Sequence, residues 1–123
     1  MNEVWHPVVG YEGSYEVSNL GRVKSLERMV PQRWGMYRKC PEKILRQKTA
    51  RGYFQVRLTG KTFNVHVLVA AAFIGPRPKG MVICHGRLGM QVNTPENLRY
   101  DTQLENMRDV KRHQTLKLDP PAL

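Results

Sequence analysis

The chain has 123 residues, and its 20 Lys and Arg side chains against 10 acidic ones give a formal charge of +10. That length can bury an ordinary hydrophobic interior in one domain, or in two small modules sharing a core, and the basic excess points to a polyanionic partner, nucleic acid first. A membrane protein is disfavoured: the longest apolar run, residues 67–74, falls far short of a bilayer span of about 20 residues, and no leader-like segment opens the chain. Two cysteines, Cys40 and Cys84, are too few and too far apart for a zinc cluster or a disulfide framework, so the expectation is a cytoplasmic protein held by packing alone.

The opening segment, VWHPVVGYEGSYEVSNLGRVKSLER, places Tyr15, Val17 and Val23 between turns marked by Gly10, Gly13, Asn19 and Gly21, which predicts a small antiparallel sheet. From residue 28 to 61 there are ten Lys or Arg residues and a single acid, Glu42, so most of the net charge sits in the middle third. Within it YFQVRL, residues 53–58, alternates Phe54, Val56 and Leu58 with Tyr53, Gln55 and Arg57, the period of a strand with one buried face; Gly60 and Lys61 then turn into a hairpin partner. Lys48, Arg51 and Arg57 would face a groove or a phosphate backbone from such a sheet, and Arg22, Lys24 and Arg99 join them as candidate nucleic-acid contacts. Taken singly, each of these side chains fits a solvated face equally well.

Residues 66–74, HVLVAAAFI, are apolar almost all round and predict a short buried helix stopped by Gly75, Pro76 and Pro78, with His66 in a structural role at its start. A strand at 81–84 follows, then a long polar loop, a second strand at 98–100 and a final helix. Thr102 and Glu105 form a capping box for that helix, placing Asn106 in its first two turns with Asp109 and His113 on the same side. Residues 116–123, with Pro120 and Pro121, read as a disordered tail.

The stretch VICHGRLGMQVNTPENLRYDTQLENMRD, residues 82–109, thus gathers one histidine and three asparagines: His85, with Asn93, Asn97 and Asn106 following it by 8, 12 and 21 positions. Phosphodiester cleavage needs a water, a group that takes its proton and a positive charge on the phosphate and the departing 3′ oxygen. A neutral His85 at a strand end can take the proton. A divalent metal held by oxygen or nitrogen ligands can supply the charge, and the amide of Asn97, helped by Asn93, can hydrogen-bond across the loop and aim the histidine.

These residues resemble the HNH endonucleases of phage and intron origin, whose active unit is the ββα-metal fold. The first segment, WHPVVGYEGSYEVSNLGRVKSL, is similar to the module that precedes such nucleases, and VHVLVAAAF to the helix leading into them. The resemblance implies a metal-dependent endonuclease acting on duplex DNA, with His85 as general base, Asn97 as the middle asparagine of the signature and Asn106 as the metal ligand on the final helix. It also implies a bacterial host cell or nucleoid as its setting, and is compatible with a phage partner protein. Two departures stand out: Cys84 occupies the place of a metal-binding acid, and Val92 that of a polar residue. One Mg²⁺ or Mn²⁺ ion is expected, with Asp109 as a further ligand, and Cys84 as a ligand would favour a softer ion.

The fold class expected is α+β: a basic β-rich module over residues 1–62, then a helix and ββα-metal nuclease unit over 63–115. The alternative is a catalytically weak or inactive DNA-binding protein on the same scaffold.

Overall fold

The structure, a computed structural model, describes residues 2–104 and Met107. Gln103, Leu104 and Met107 are helical. Asn106, Asp109, Glu105 of the expected capping box and the tail at 116–123 lie outside the described residues.

Alternation and glycine turns build the first half. Strands β1 (Trp5–Pro7), β2 (Tyr15–Ser18) and β3 (Val23–Ser25) are joined by turns, and Val17 and Val23 face each other in register, both fully buried. Next come β4 (Arg28–Pro31) and β5 (Tyr37–Cys40), which among the described residues pair only with each other, and β6 (Lys43–Ile44), which returns to β3 and completes an antiparallel sheet in the order β1-β2-β3-β6. A three-stranded sheet follows from β7 (Lys48–Ala50), β8 (Tyr53–Leu58) and β9 (Lys61–Asn64). As the alternation requires, Val56 and Leu58 are buried and Arg57 is exposed. Thr59 and Gly60 form the tight β8–β9 turn, both with positive φ, the geometry whose twist matches paired strands.

Helix α1 (Val65–Phe73) begins one residue earlier than the sequence predicts. Its three valines are weak helix formers, so burial stabilises it: Val65, Leu68, Val69 and Ala70 pack inside, with large side chains of this kind contributing about 1.5–3 kcal/mol each. Ile74 and Gly75 both donate to the carbonyl of Ala70, and Gly75, at φ 124°, turns the chain away. The hairpin of β10 (Val82–His85) and β11 (Leu98–Asp101) then packs on the helix, and the Tyr100 hydroxyl donates to the Gly75 carbonyl at 2.8 Å.

One apolar cluster joins Val8, Tyr15, Val17 and Val23 to Val56, Leu58, Val65, Leu68, Val69 and Leu98. The core therefore runs across the expected boundary at residues 62 and 63. The class is α+β, antiparallel sheets around one central helix. Among the described residues no helix is long and apolar enough to cross a membrane.

Candidate active site and nucleic-acid interface

His85 ends β10 opposite Leu98, on the hairpin face that also carries Ile83 and Tyr100 and looks toward α1. Its Nε2 lies 3.0 Å from Oδ1 of Asn93. A ring nitrogen facing an amide oxygen carries the hydrogen, so Nδ1 keeps the lone pair and can accept a proton. Burial pushes the His85 imidazole below its ordinary value of 6.5, against the opposing pull of the bond to Asn93. The histidine is thus neutral and of fixed tautomer at pH 7, as a base must be.

The loop between β10 and β11 has little regular structure and is held by one side chain. Asn97 is only 6% exposed; its Nδ2 donates to the carbonyls of Gly89 and Val92 at 2.9 and 3.0 Å, and its Oδ1 accepts from the Leu88 amide at 3.2 Å. The Gly86 amide donates to the Asn97 carbonyl at 2.8 Å, closing the loop beside His85. Asn93 is buried as well, and its backbone rests on the β2–β3 turn at Gly21, where a Cβ would come 3.1 Å from the Asn93 carbonyl oxygen. Asn93 and Asn97 therefore divide the work: one touches the imidazole, the other shapes the loop that presents the first.

Two further residues of this site are not picked out in the sequence. The His66 ring lies edge-to-face with that of His85, centroids 4.8 Å apart, and the Tyr53 ring lies 5.0 Å from His66 and 5.8 Å from His85. His66 does not serve the helix start as expected. Because α1 begins at Val65, residue 66 falls inside the first turn with its side chain against the hairpin; it is 8% exposed, and its Nδ1 has no hydrogen-bond partner. Burial, and secondarily the neighbouring His85, push its pKa down to about 4. The signals for both were present: His66 is the one polar residue in VHVLVAAAF, and Tyr53 shares its strand parity with Gln55 and Arg57.

Cys84 points to the opposite face of β10 from His85, with Arg99 across from it and Asp101 further along the same face. It is fully buried, and burial raises its thiol pKa, so the sulfur stays protonated at neutral pH. Cys84 is a candidate ligand from the sequence; its soft sulfur suits Mg²⁺ poorly and a softer ion better. Among the described residues no three His, Cys, Asp or Glu side chains come together to hold an ion. The oxygen donors of Asn106 and Asp109 suit a hard cation by chemistry.

The basic candidates divide in two. Lys24 is no free charge: it reaches Glu16 at 3.6 Å and Glu42 at 3.2 Å and lies over the Trp5 ring. Arg22 is taken up by both carboxylate oxygens of Glu3, and Arg99 pairs with Asp101 at 3.2 Å. Register sets Glu16 beside Lys24, local sequence sets Asp101 beside Arg99, and the segment before β1 brings Glu3 to Arg22. Lys48, Arg51 and Arg57 are exposed and form no ion pair among the described residues. Lys48 and Arg57 line a shallow groove with Arg46, Gln55 and Thr62. That polar face of β8 runs through Arg57 and Gln55 to Tyr53, whose ring abuts the two histidines, so the basic sheet leads into the His85 site.

Residues 3–59 match the model of the NUMOD4 motif. Over 118 residues the chain is 33% identical to DNA endonuclease I-HmuI of Bacillus phage SP01, covering 93% of this chain and 61% of that protein. A solved structure, of DNA binding and cleavage by the HNH homing endonuclease I-HmuI, superimposes with a TM-score of 0.69 at 32% identity, covering 91% of this chain and 60% of that one. The chain thus spans about three-fifths of the length of the relative it matches.

Proposed function

We propose, since this chain belongs to the family of HNH endonucleases, that it hydrolyses phosphodiester bonds of duplex DNA with His85 as the general base. The observation that carries this reading is the pairing of His85 Nε2 with Asn93 Oδ1, which leaves a neutral imidazole with a free Nδ1 lone pair at the end of a basic sheet face. A water gives its proton to Nδ1, its oxygen bonds to phosphorus, and the P–O3′ bond breaks, the 3′ oxygen taking a proton from solvent. Asn97 acts through the loop, and the rings of His66 and Tyr53 fix the plane of His85. Arg57, Arg51 and Lys48 hold the duplex by its phosphates. A divalent ion, Mg²⁺ or Mn²⁺, bound through Asn106 and Asp109 would neutralise the phosphate and the departing oxygen.

Conversion of supercoiled plasmid by the full chain, with Mg²⁺, with Mn²⁺ and with chelator, tests this. Wild type yields nicked or linear product that chelator suppresses. His85→Ala reduces the rate at least about 100-fold, the ordinary scale of general-base catalysis, with duplex affinity within about twofold. Undiminished cutting by His85→Ala overturns the assignment. The buried thiol of Cys84, where the resemblance expects an acid, favours a second reading, a DNA-binding protein on a nuclease scaffold that does not cut. His85-dependent nicking with any divalent metal across a concentration series removes it.

A further inference from the structure

The β4–β5 ribbon stands apart from everything else in the fold. Its four residue pairs, from Arg28 with Cys40 to Pro31 with Tyr37, form a separate two-stranded sheet that joins no other strand among the described residues. Most of it is uncovered: Arg28, Met29, Pro31, Tyr37, Arg38 and Lys39 are exposed, and only Val30 and Cys40 are half-buried. A two-stranded hairpin with no buried face has little stability of its own in water, so the ribbon is built to gain order against something else.

Its tip is an aromatic side chain held out into solvent. Trp34 is 93% exposed and sits at φ 63° beside Gly35 at φ 70°, two left-handed residues that close the ribbon's turn and hold the indole at its end. Around it are Met36 and Tyr37, each more than 60% exposed, and the cations Arg28, Arg33 and Arg38, which form no ion pair among the described residues. The two acids that flank the ribbon are engaged, Glu27 with Lys39 at 3.0 Å and Glu42 with Lys24 at 3.2 Å.

The arrangement of these side chains selects the partner. Alternation puts Arg28 and Arg38 on one face of the ribbon and Lys39 on the other, with apolar residues between charges on both. A bilayer or an apolar groove in another protein needs one face free of charge, and the ribbon has none. Nucleic acid suits both properties at once: phosphates accept from guanidinium groups, and any base offers a π-face to an indole. A two-stranded ribbon has the width of a DNA groove, and apolar side chains carried into a duplex wedge between base steps.

We propose that the β4–β5 ribbon is a second DNA-contacting element, separate from the His85 site, in which Trp34 inserts against a base step of the duplex while Arg33 and Arg38 take flanking phosphates. The assignment rests on the duplex-DNA reading and extends it to residues that serve neither the chemistry nor the β7–β8–β9 face.

The test uses the full chain carrying Trp5→Phe, which leaves Trp34 as the sole tryptophan. Titration with a duplex oligonucleotide is expected to quench its fluorescence and shield it from iodide. Trp34→Ala is expected to weaken duplex binding by about 5- to 100-fold, the scale of a lost base–aromatic stack, with Trp34→Phe recovering much of it. Because Trp34 is almost wholly exposed, the thermal midpoint of either variant should match wild type, which separates binding from folding. Equal iodide access with and without DNA, together with unchanged binding by Trp34→Ala, overturns the ribbon's role while leaving His85-dependent cleavage standing. A fluorescence response to anionic phospholipid vesicles and none to duplex also overturns it. A folded wild type that binds no duplex overturns both this role and the endonuclease reading.

Discussion

The β10–β11 loop and the β4–β5 ribbon are excursions from the same fold, and they are stabilised in opposite ways. The loop has almost no ladder of its own but is tied from within, by three hydrogen bonds to the buried amide of Asn97 and by a fourth between the Gly86 amide and the Asn97 carbonyl. The ribbon has a regular ladder and joins no other strand among the described residues. A proton-accepting atom must be held to a fraction of an ångström, which internal polar contacts achieve. A surface that meets a long polymer gains more from reach and exposed charge. On the proposed roles, immobilising one and freeing the other separates a reacting site from a gripping site.

Removing the tie should show that contrast at its largest. Asn97→Ala deletes three hydrogen bonds and leaves the Leu88 amide and the carbonyls of Gly89 and Val92 without their partner, an expected loss of about 2–4 kcal/mol in urea unfolding, with cleavage falling at least about tenfold. Trp34→Ala, on the ribbon, should shift stability by less than about 0.5 kcal/mol. Equal losses at the two positions would abolish the distinction.

Acid should unfold the loop side of the molecule first. His66 is buried neutral with a pKa of about 4, and His85 is also pushed down, so between pH 6.5 and 4 the unfolded chain binds protons that the folded chain does not. Stability is full well above pH 6.5 and falls as pH drops to about 4, by roughly 3 kcal/mol for His66, most of the free energy its shift corresponds to. His66→Phe keeps a ring against His85 and should remove most of that fall in urea titrations run at pH 7 and pH 4.5. The cleavage rate should rise with pH through a single titration below 6.5, that of His85, and level off by neutrality.

A smaller effect is expected from packing at the loop's start. A Cβ on Gly86 would sit 2.7 Å from Oδ1 of Asn97, an atom already fixed by the Leu88 amide and unable to retreat. Gly86→Ala should destabilise by about 1–2 kcal/mol in the same unfolding assay and slow cleavage more than it weakens DNA binding.

Much of this was legible in the sequence, because its signals are local. Alternation in YFQVRL marked β8 and its buried face, the apolar run with Gly75 and Pro76 bounded α1 to within a residue, and the spacing of His85, Asn93 and Asn97 placed them on one strand–loop–strand unit. What stayed hidden depends on contacts between distant segments. No periodicity brings Tyr53, His66 and His85 around one point, since they come from a strand, a helix and a second strand that meet only in the folded core. Composition counts cations without showing which are already neutralised, so Lys24 and Arg22 looked like DNA contacts until Glu16, Glu42 and Glu3 were placed beside them. Adjacency in sequence likewise hides that strand alternation sets Cys84 and His85 on opposite faces of β10.

That partition of the cations gives the smallest and most discriminating prediction. Arg57 is exposed on the outer face of β8, beside Lys48 and above the groove they share, so replacing it should remove about one phosphate contact. Arg57→Ala is expected to weaken duplex binding severalfold, uniformly across sequences, and to reduce the slope of log affinity against log salt by about one, with stability within about 0.5 kcal/mol of wild type. Lys24→Ala removes the same formal charge from a lysine that bridges two glutamates and covers the Trp5 ring. It should leave the salt slope unchanged and appear instead as a loss of stability, since two partly covered carboxylates are left facing each other. A change of slope in Lys24→Ala equal to that in Arg57→Ala would mean that DNA opens those ion pairs on binding, making the N-terminal sheet part of the interface.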